Sequence, residues 1–249
     1  MNSLDGATVL VVDDEPDLCE MLAFEFRLQG SNVLLAGDGE RAFELVRSQP
    51  IDAVVTDIQM AHGTGIELLD RIRERHSHEP VVFFITAYDT ALSPMDAYDR
   101  GAEAIFGKPF RLKDLVDRVQ RTLTEPQLRW AQPPQETPTE TLAFQWSGLD
   151  EARDRKKLGL GRGGLAVFVD GCIKSGQLEP GCLVAIDMKF QKGPLRAIEG
   201  VGTVRWITED ADAEPACGIE FEYVSPSCLQ PLAQWLETNA SRPFIPRLG

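Results

Sequence analysis

The sequence predicts two folded units: an α/β doubly wound, five-stranded parallel sheet, then a small antiparallel β-barrel with a C-terminal helix. Three observations lead there. Short apolar runs alternate with segments of helical period through the first half of the chain. Four of the five runs lead into polar or charged residues, the pattern of strands that deliver chemistry at their carboxyl ends. Beyond a Pro/Thr-rich stretch the apolar period shortens to that of a half-buried strand.

The elements of the first half follow in order. Thr8 to Val12 is apolar up to Asp13 and Asp14, as expected of a strand buried on both faces. Pro16 opens a helix whose apolar positions are Leu18, Met21, Leu22 and Phe24 to Phe26, and Gly30 stops it. Val33 to Ala36 is the second strand. Asp38 caps a helix carrying Ala42, Phe43, Leu45 and Val46. Ala53 to Thr56 is the third strand, followed by a helix with Ile66, Leu69 and Ile72 inward; Val81 to Ile85 is the fourth. Ala104 to Phe106 is the fifth, and Leu112, Leu115, Val116 and Val119 then recur at helical spacing.

The strand ends carry Asp13, Asp14, Asp57, Thr86 and Lys108. Clustered carboxylates repel one another and call for a cation, and their hard oxygens suit Mg²⁺ held by Asp13, Asp14 and Asp57. Asp57 is then a nucleophile able to accept a phosphoryl group, with the Lys108 ammonium and the Thr86 hydroxyl placed to meet its oxygens. An isolated Asp at a strand end is usually a cap; five such residues on successive strands are a reaction kit. The chain is read as an acceptor, not an enzyme, with at most autophosphorylation and autodephosphorylation at Asp57.

These residues resemble the receiver domain of bacterial two-component response regulators, a flavodoxin-like fold, over roughly residues 5 to 123. The resemblance rests on VLVVDDE, on D-I-Q-M from Asp57 with Gly65 eight residues on, on Thr86-Ala87, and on K-P-F from Lys108. The offsets of 29 residues from Asp57 to Thr86 and 22 from Thr86 to Lys108 agree with it. It implies a sensor histidine kinase or phosphotransfer protein as phosphodonor, and a cis Lys108-Pro109 bond. Two positions depart from the family pattern. Ala61 follows Met60 where a proline is usual, which loosens the loop, and Ile105 stands where an aromatic ring commonly follows the motion of the threonine. Phe106, next to Ile105, and Tyr88, two residues after Thr86, are not assumed to substitute for that ring.

Residues 124–141, TEPQLRWAQPPQETPTET, lose the apolar period and read as an extended linker between a receiver domain at 1–123 and an output domain at 142–249. Trp130 is the exception in it, an exposed-looking aromatic able to pack against either domain.

In the second half, Leu142 to Trp146, Leu165 to Val169, Val184 to Phe190, Ala197 to Ile207 and Cys217 to Val224 read as strands, with Gly200 and Gly202 marking a bend or close approach. Ser225-Pro226 then opens a helix with Leu229, Leu232, Ala233 and Leu236 on one face. Gly159 to Gly164 formally matches G-x-G-x-x-G, but charged residues precede it and a strand follows, the wrong setting for a dinucleotide. The arrangement instead resembles a PilZ domain over about residues 140 to 238, on G-R-G-G-L-A-V-F-V, L-E-P-G-C-L-V, the strand ending V-R-W, and G-I-E-F. That family binds cyclic di-GMP, but its acidic or amide residue and its serine are replaced here by Gly159 and Gly161, and no basic residue lies in Pro133 to Thr141. Weak or absent binding is expected, with output through a protein partner. The alternative is a cyclic di-GMP receptor coupled to receiver phosphorylation through Arg153, Arg155, Arg162 and Gly164, with Lys156 and Lys157 in the same basic run.

The chain of 249 residues carries 25 Lys+Arg against 39 Asp+Glu. Through Glu125 there are 12 basic and 23 acidic residues, and beyond it 13 and 16, so neither half offers a broad phosphate-binding face and no DNA partner is expected. Five cysteines without zinc or C-x-x-C spacing read as reduced thiols. No apolar run has membrane-spanning length and the start has no signal-peptide pattern, so a cytoplasmic protein without membrane insertion is expected. His62, His76 and His78 read as surface residues, and a homodimer is compatible with the sequence.

Overall fold

The computed structural model describes residues 4–76, 79–87, 92–155, 157–168, 178–208, 215–239 and 243–246. Tyr88, His78, Lys156 and Val169 lie outside them. The chain divides into two compact units, Met1–Thr124 and Glu125–Gly249.

The first unit is built from β1 (Thr8–Val12), α1 (Pro16–Leu28), β2 (Asn32–Ala36), α2 (Gly39–Ser48), β3 (Ala53–Asp57), α3 (Gly65–Arg75), β4 (Val81–Thr86), α4 (Pro94–Arg100), β5 (Ala104–Gly107) and α5 (Leu112–Leu123). Its sheet runs β2-β1-β3-β4-β5 with every pair parallel. The order reverses between β1 and β3, which opens the crevice where such sheets collect ligands. One core, on Leu10, Val54, Val82 and Phe84, receives α2 and α3; the other, on Val9, Val11, Val55, Phe83 and Ile85, receives α1 and α5. β1, β3 and β4 must be apolar on both faces for this to work, hence their nearly unbroken Val/Ile/Phe runs.

Local chemistry fixes the helix starts. Asp38 accepts from the Arg41 amide at 2.7 Å, the cap expected from the sequence. Thr64 and Glu67 form a reciprocal capping box at the head of α3, at 3.1 and 3.0 Å, which anchors the loop after Asp57. On α1 the core is met by Cys19, Leu22, Ala23 and Phe26. Met21 and Phe24, expected among its apolar positions, are instead 47% and 62% exposed, because they lie off that stripe. On α3 the buried pair is Leu68 and Leu69, with Ile72 one turn on and Ile66 half-buried. The fourth helix, α4, left no clear period in the sequence.

The second unit contains α6 (Pro126–Arg129), β6 (Glu140–Gly148), α7 (Leu149–Asp154), β7 (Leu158–Leu160), β8 (Gly164–Phe168), β9 (Leu183–Lys192), β10 (Ala197–Ile207), β11 (Ala216–Val224) and α8 (Pro226–Thr238). Its six strands form one curled sheet in the order β6-β9-β10-β11-β8-β7. This corrects the expected antiparallel barrel. The β6–β9 pair is parallel, the remaining pairs are antiparallel, and among the described residues β6 and β7 are edges, so the sheet is mixed and open. Alternation of apolar and polar residues says which face of a strand is buried but not which way its neighbour runs, and that is why the sequence misled here.

Gly200 and Gly202 occupy close approaches: a Cβ would meet the Tyr223 carbonyl at 2.1 Å and Ile219 Cγ2 at 2.3 Å, and the register shifts between Val201 and Gly202. Trp130 is not exposed. It is 1% accessible, packs edge-on against Phe221 with centroids 5.2 Å apart, and its carbonyl accepts from the Val224 amide at 3.0 Å. The start of the Pro/Thr-rich stretch is therefore part of this unit's core.

Candidate functional site

The polar strand ends of the first unit meet at the crevice beside β1 and β3. Asp13 directly follows β1, Asp57 ends β3 and Thr86 ends β4, all three nearly inaccessible to solvent, while Lys108 directly follows β5. Lys108 Nζ lies 2.5 Å from Asp57 Oδ2, 3.4 Å from Asp13 Oδ2 and 3.8 Å from Glu15 Oε1. One ammonium thus lies between two buried carboxylates and offsets part of their mutual repulsion. The Lys108-Pro109 bond that presents it is cis. Backbone donors complete the cradle: the Gln59 amide reaches Asp57 Oδ1 at 2.8 Å, and the Glu15 amide reaches Asp13 Oδ1 at 2.8 Å.

Burial, aided by the Asp57 charge, pushes the Asp13 carboxyl above the ordinary aspartate value, although the Glu15 amide and Lys108 pull the other way. Burial likewise disfavours the Lys108 ammonium, but the Asp57 hydrogen bond and the charges of both aspartates outweigh it and hold the amine above the ordinary lysine value. Lys108 therefore remains a cation at neutral pH. Thr86 donates its hydroxyl to the Ala87 carbonyl at 2.9 Å.

Gly65 fits the site so closely that no other residue would. A Cβ there would stand 2.3 Å from the Asp57 carbonyl oxygen and 3.1 Å from both side-chain tips of Thr56. Its amide donates to the Ile58 carbonyl at 3.0 Å, so the head of α3 is pressed onto the end of β3 directly behind Asp57.

The sequence grouped Asp13, Asp14 and Asp57 as metal ligands. Asp14 is exposed, and its Oδ2 accepts from the Ala61 amide at 2.7 Å. Among the described residues no three acidic, histidine or cysteine side chains stand together as a ready-made metal cluster, and Lys108 lies between Asp13 and Asp57 where they converge. The donors are nonetheless all carboxylate oxygens, which in chemistry fit a hard cation.

Residues 9–120 match the response regulator receiver domain. The N-terminal unit is a response regulator receiver domain. The chain is 35% identical over 125 residues to the probable transcriptional regulatory protein TcrX of Mycobacterium tuberculosis, a match covering 49% of this chain and 53% of that protein. It thus spans about half the length of the curated relative it matches. Among solved structures, the response regulator TrrA of Thermotoga maritima, in complex with Mg²⁺ and BeF, is 30% identical with a TM-score of 0.43, covering 47% of this chain and 99% of that one. A receiver domain protein of Clostridium thermocellum is 28% identical with a TM-score of 0.44, covering 49% and 98%.

Two departures of this receiver from the family pattern acquire a structural meaning. Ile105 pairs with Phe84 and packs half-buried into the core beneath α2 and α3. Phe106 faces the opposite core, with its ring 6.1 Å from that of Phe110, so it does not stand in for a ring at 105. The Ala61 amide that holds Asp14 is a donor that the usual proline would lack. Sequence reasoning missed this contact, the Gln59 amide and Glu15. Backbone donors leave no trace in residue identity; the acidic VVDDE string did hint at Glu15.

In the second unit the structure does not bring the proposed nucleotide-binding residues together as a free basic cluster. Arg153 lies over the Trp235 ring at 5.2 Å, Arg155 pairs with Glu151 at 2.8 Å, and Arg162 lies 5.9 Å from the Phe244 ring centre. Lys157 lies over Phe168 at 4.9 Å. Gly164 is buried, and a Cβ there would meet the Ile219 carbonyl at 2.0 Å. Arg153 and Arg155 are exposed, and each of these side chains has a partner on its own unit. Among the described residues no helix is long and apolar enough to cross a membrane.

Proposed function

We propose that this chain is a response regulator of a two-component phosphorelay, in which Asp57 takes the phosphoryl group and the second unit carries the output by binding a protein. The observation that carries the reading is the Lys108 ammonium lodged between Asp57 and Asp13 in a buried pocket at the strand ends. A phosphohistidine on a kinase or phosphotransfer protein is the donor class: a carboxylate oxygen of Asp57 forms the new O–P bond as the P–N bond breaks, and the imidazole leaves.

The chain's own residues do the positioning. The Gln59 amide fixes one oxygen of Asp57 while Lys108 restrains the other and lowers its charge repulsion with the incoming group. The Thr86 hydroxyl, now turned to the Ala87 carbonyl, is the donor on the neighbouring strand for a phosphoryl oxygen. Asp13, Asp14 and Asp57 would hold Mg²⁺, which supplies positive charge against the transferring group. The protein is a phosphoacceptor and no separate substrate is turned over.

For the second unit we favour protein contact over a cyclic di-GMP site, because Arg153, Arg155 and Arg162 each have a partner on their own unit and Gly164 is buried. Its likeness to a PilZ domain rests on the sequence motifs. Incubation with a radiolabelled small phosphodonor and Mg²⁺ should label the protein, and Asp57→Ala should abolish the label. Equal labelling of the variant would refute the assignment of Asp57.

A further inference from the structure

Three carboxylates face one ammonium in the receiver pocket, and only two of them are buried. Lys108 Nζ lies 2.5 Å from Asp57 Oδ2 and 3.4 Å from Asp13 Oδ2, where these two carboxylates converge, and 3.8 Å from Glu15 Oε1. The Asp13 and Asp57 side chains are 1% and 9% exposed, that of Lys108 26% and that of Glu15 70%, so the ammonium stands between the buried pair and a carboxylate in the solvent. The backbone of Glu15 is held in place: it is the N-cap of α1, and its amide donates to Asp13 Oδ1 at 2.8 Å. Its side chain makes no capping hydrogen bond to the helix, which leaves the carboxylate to Lys108. A charge-assisted hydrogen bond closes at about 2.8 Å, so an approach of about 1 Å joins Lys108 to Glu15 while it keeps Asp57.

We propose that Glu15 is the second seat of the Lys108 ammonium, and so a positioning residue of the phosphoacceptor site: when a divalent cation takes oxygens of Asp13 and Asp57, Lys108 exchanges Asp13 for Glu15 and keeps Asp57. The inference rests on the reading that Asp13, Asp14 and Asp57 hold Mg²⁺. An ammonium and a divalent cation sharing the same buried oxygens repel one another, most strongly where water is excluded. Displaced without a partner, the ammonium would be a half-buried charge left uncompensated on that side. Glu15 supplies the counter-charge at an exposed position, where forming the pair strips little water from it. Lys108 thereby stays beside Asp57, where the phosphoryl group arrives.

The test uses the unphosphorylated full-length protein and Mg²⁺ alone, followed by titration calorimetry. Glu15→Gln should weaken Mg²⁺ binding about fivefold, the upper range for a partly exposed ion pair. Lys108→Met, which removes the competing ammonium, should bind Mg²⁺ more tightly than the wild-type chain, and in that background Glu15→Gln should change the affinity by less than about twofold. An equal weakening with and without Lys108 means that Glu15 acts on the cation directly and overturns the proposal, as does a Glu15→Gln chain that binds like wild type. Where Lys108→Met does not fold, Glu15→Asp decides the same point in the intact pocket. It keeps the charge but shortens the arm, so it should weaken binding as Glu15→Gln does, and wild-type affinity would overturn the proposal. A wild-type chain that binds no Mg²⁺ at all overturns the reading of the site itself, and the proposal with it.

Discussion

Replacing Gly65 with alanine should damage the phosphoacceptor pocket more than it damages the fold. The new methyl carbon would fall 2.3 Å from the Asp57 carbonyl oxygen, with Thr56 side-chain atoms at 3.1 Å on the same side. Ordinary carbon–oxygen contact needs roughly 3.3 Å or more, so the head of α3 or the end of β3 must shift by about 1 Å. The neighbour is backbone, and α3 is pinned there by its Thr64–Glu67 capping box and by the Gly65 to Ile58 hydrogen bond. Overpacking of this kind costs about 1–3 kcal/mol. A displacement of about 1 Å at a reacting group costs on the order of a hundredfold in rate. Urea denaturation of the variant should therefore show a loss within that range, while the initial rate of labelling by a small phosphodonor, measured at a urea-free temperature where the variant is folded, falls about a hundredfold. Wild-type stability together with a wild-type labelling rate would show that the contact between the α3 head and Asp57 is not what sets the pocket.

Further expectations concern the pocket's charges and the second unit. Because burial raises the Asp13 carboxyl above its ordinary value, its ionised form works against folding. Its contribution is most favourable at low pH and is lost as pH rises from the ordinary aspartate range through the raised native value. Asp13→Asn should accordingly raise the metal-free unfolding free energy at neutral pH by on the order of 1 kcal/mol, and the gain should shrink on acidification; urea denaturation curves at neutral and acid pH check it. Ala61→Pro removes the amide that holds Asp14 and should tighten Mg²⁺ binding about fivefold, the equivalent of one hydrogen bond of about 1 kcal/mol, as read by titration calorimetry. Trp130→Ala should cost about 3–5 kcal/mol and should be seen in the unfolding of the second unit, because the indole fills that unit's core against Phe221.

Most of the first unit was legible because a parallel α/β sheet turns sequence order into spatial order. Once Thr8–Val12, Ala53–Asp57 and Val81–Thr86 are recognised as neighbouring strands, the residues at their carboxyl ends must meet. Asp13, Asp57 and Lys108 were placed at one end of the sheet in this way, and their side chains do meet there. The hydrogen bond that the Ala61 amide gives Asp14 was not legible, because a backbone donor is announced by no residue type. Met21 and Phe24 were misjudged for a different reason: an apolar-rich helix such as α1 does not reveal which of its stripes faces the sheet.

In the second unit the strands were legible and their arrangement was not. Period-two patterning located β9, β10 and β11 nearly to the residue, but it is silent on the parallel pairing of β6 with β9. Trp130 looked like part of a linker because its partners Phe221 and Val224 lie far along the chain. The glycine run Gly159 to Gly164 posed the same difficulty. Gly161 and Gly163 are required by Phe244, a residue that local sequence gives no reason to connect with them.

The central claim is that Asp57 carries the phosphoryl group, and it can be tested on the intact chain by trapping the acyl phosphate. Protein incubated with a small phosphodonor and Mg²⁺ is reduced with borohydride, which converts a phosphorylated aspartate to homoserine, and its peptides are sequenced by mass spectrometry. Homoserine at position 57, absent without the phosphodonor, is the predicted result. Homoserine at Asp13 or Asp14 instead, or an unmodified Asp57 in protein that has taken up label, would contradict the account.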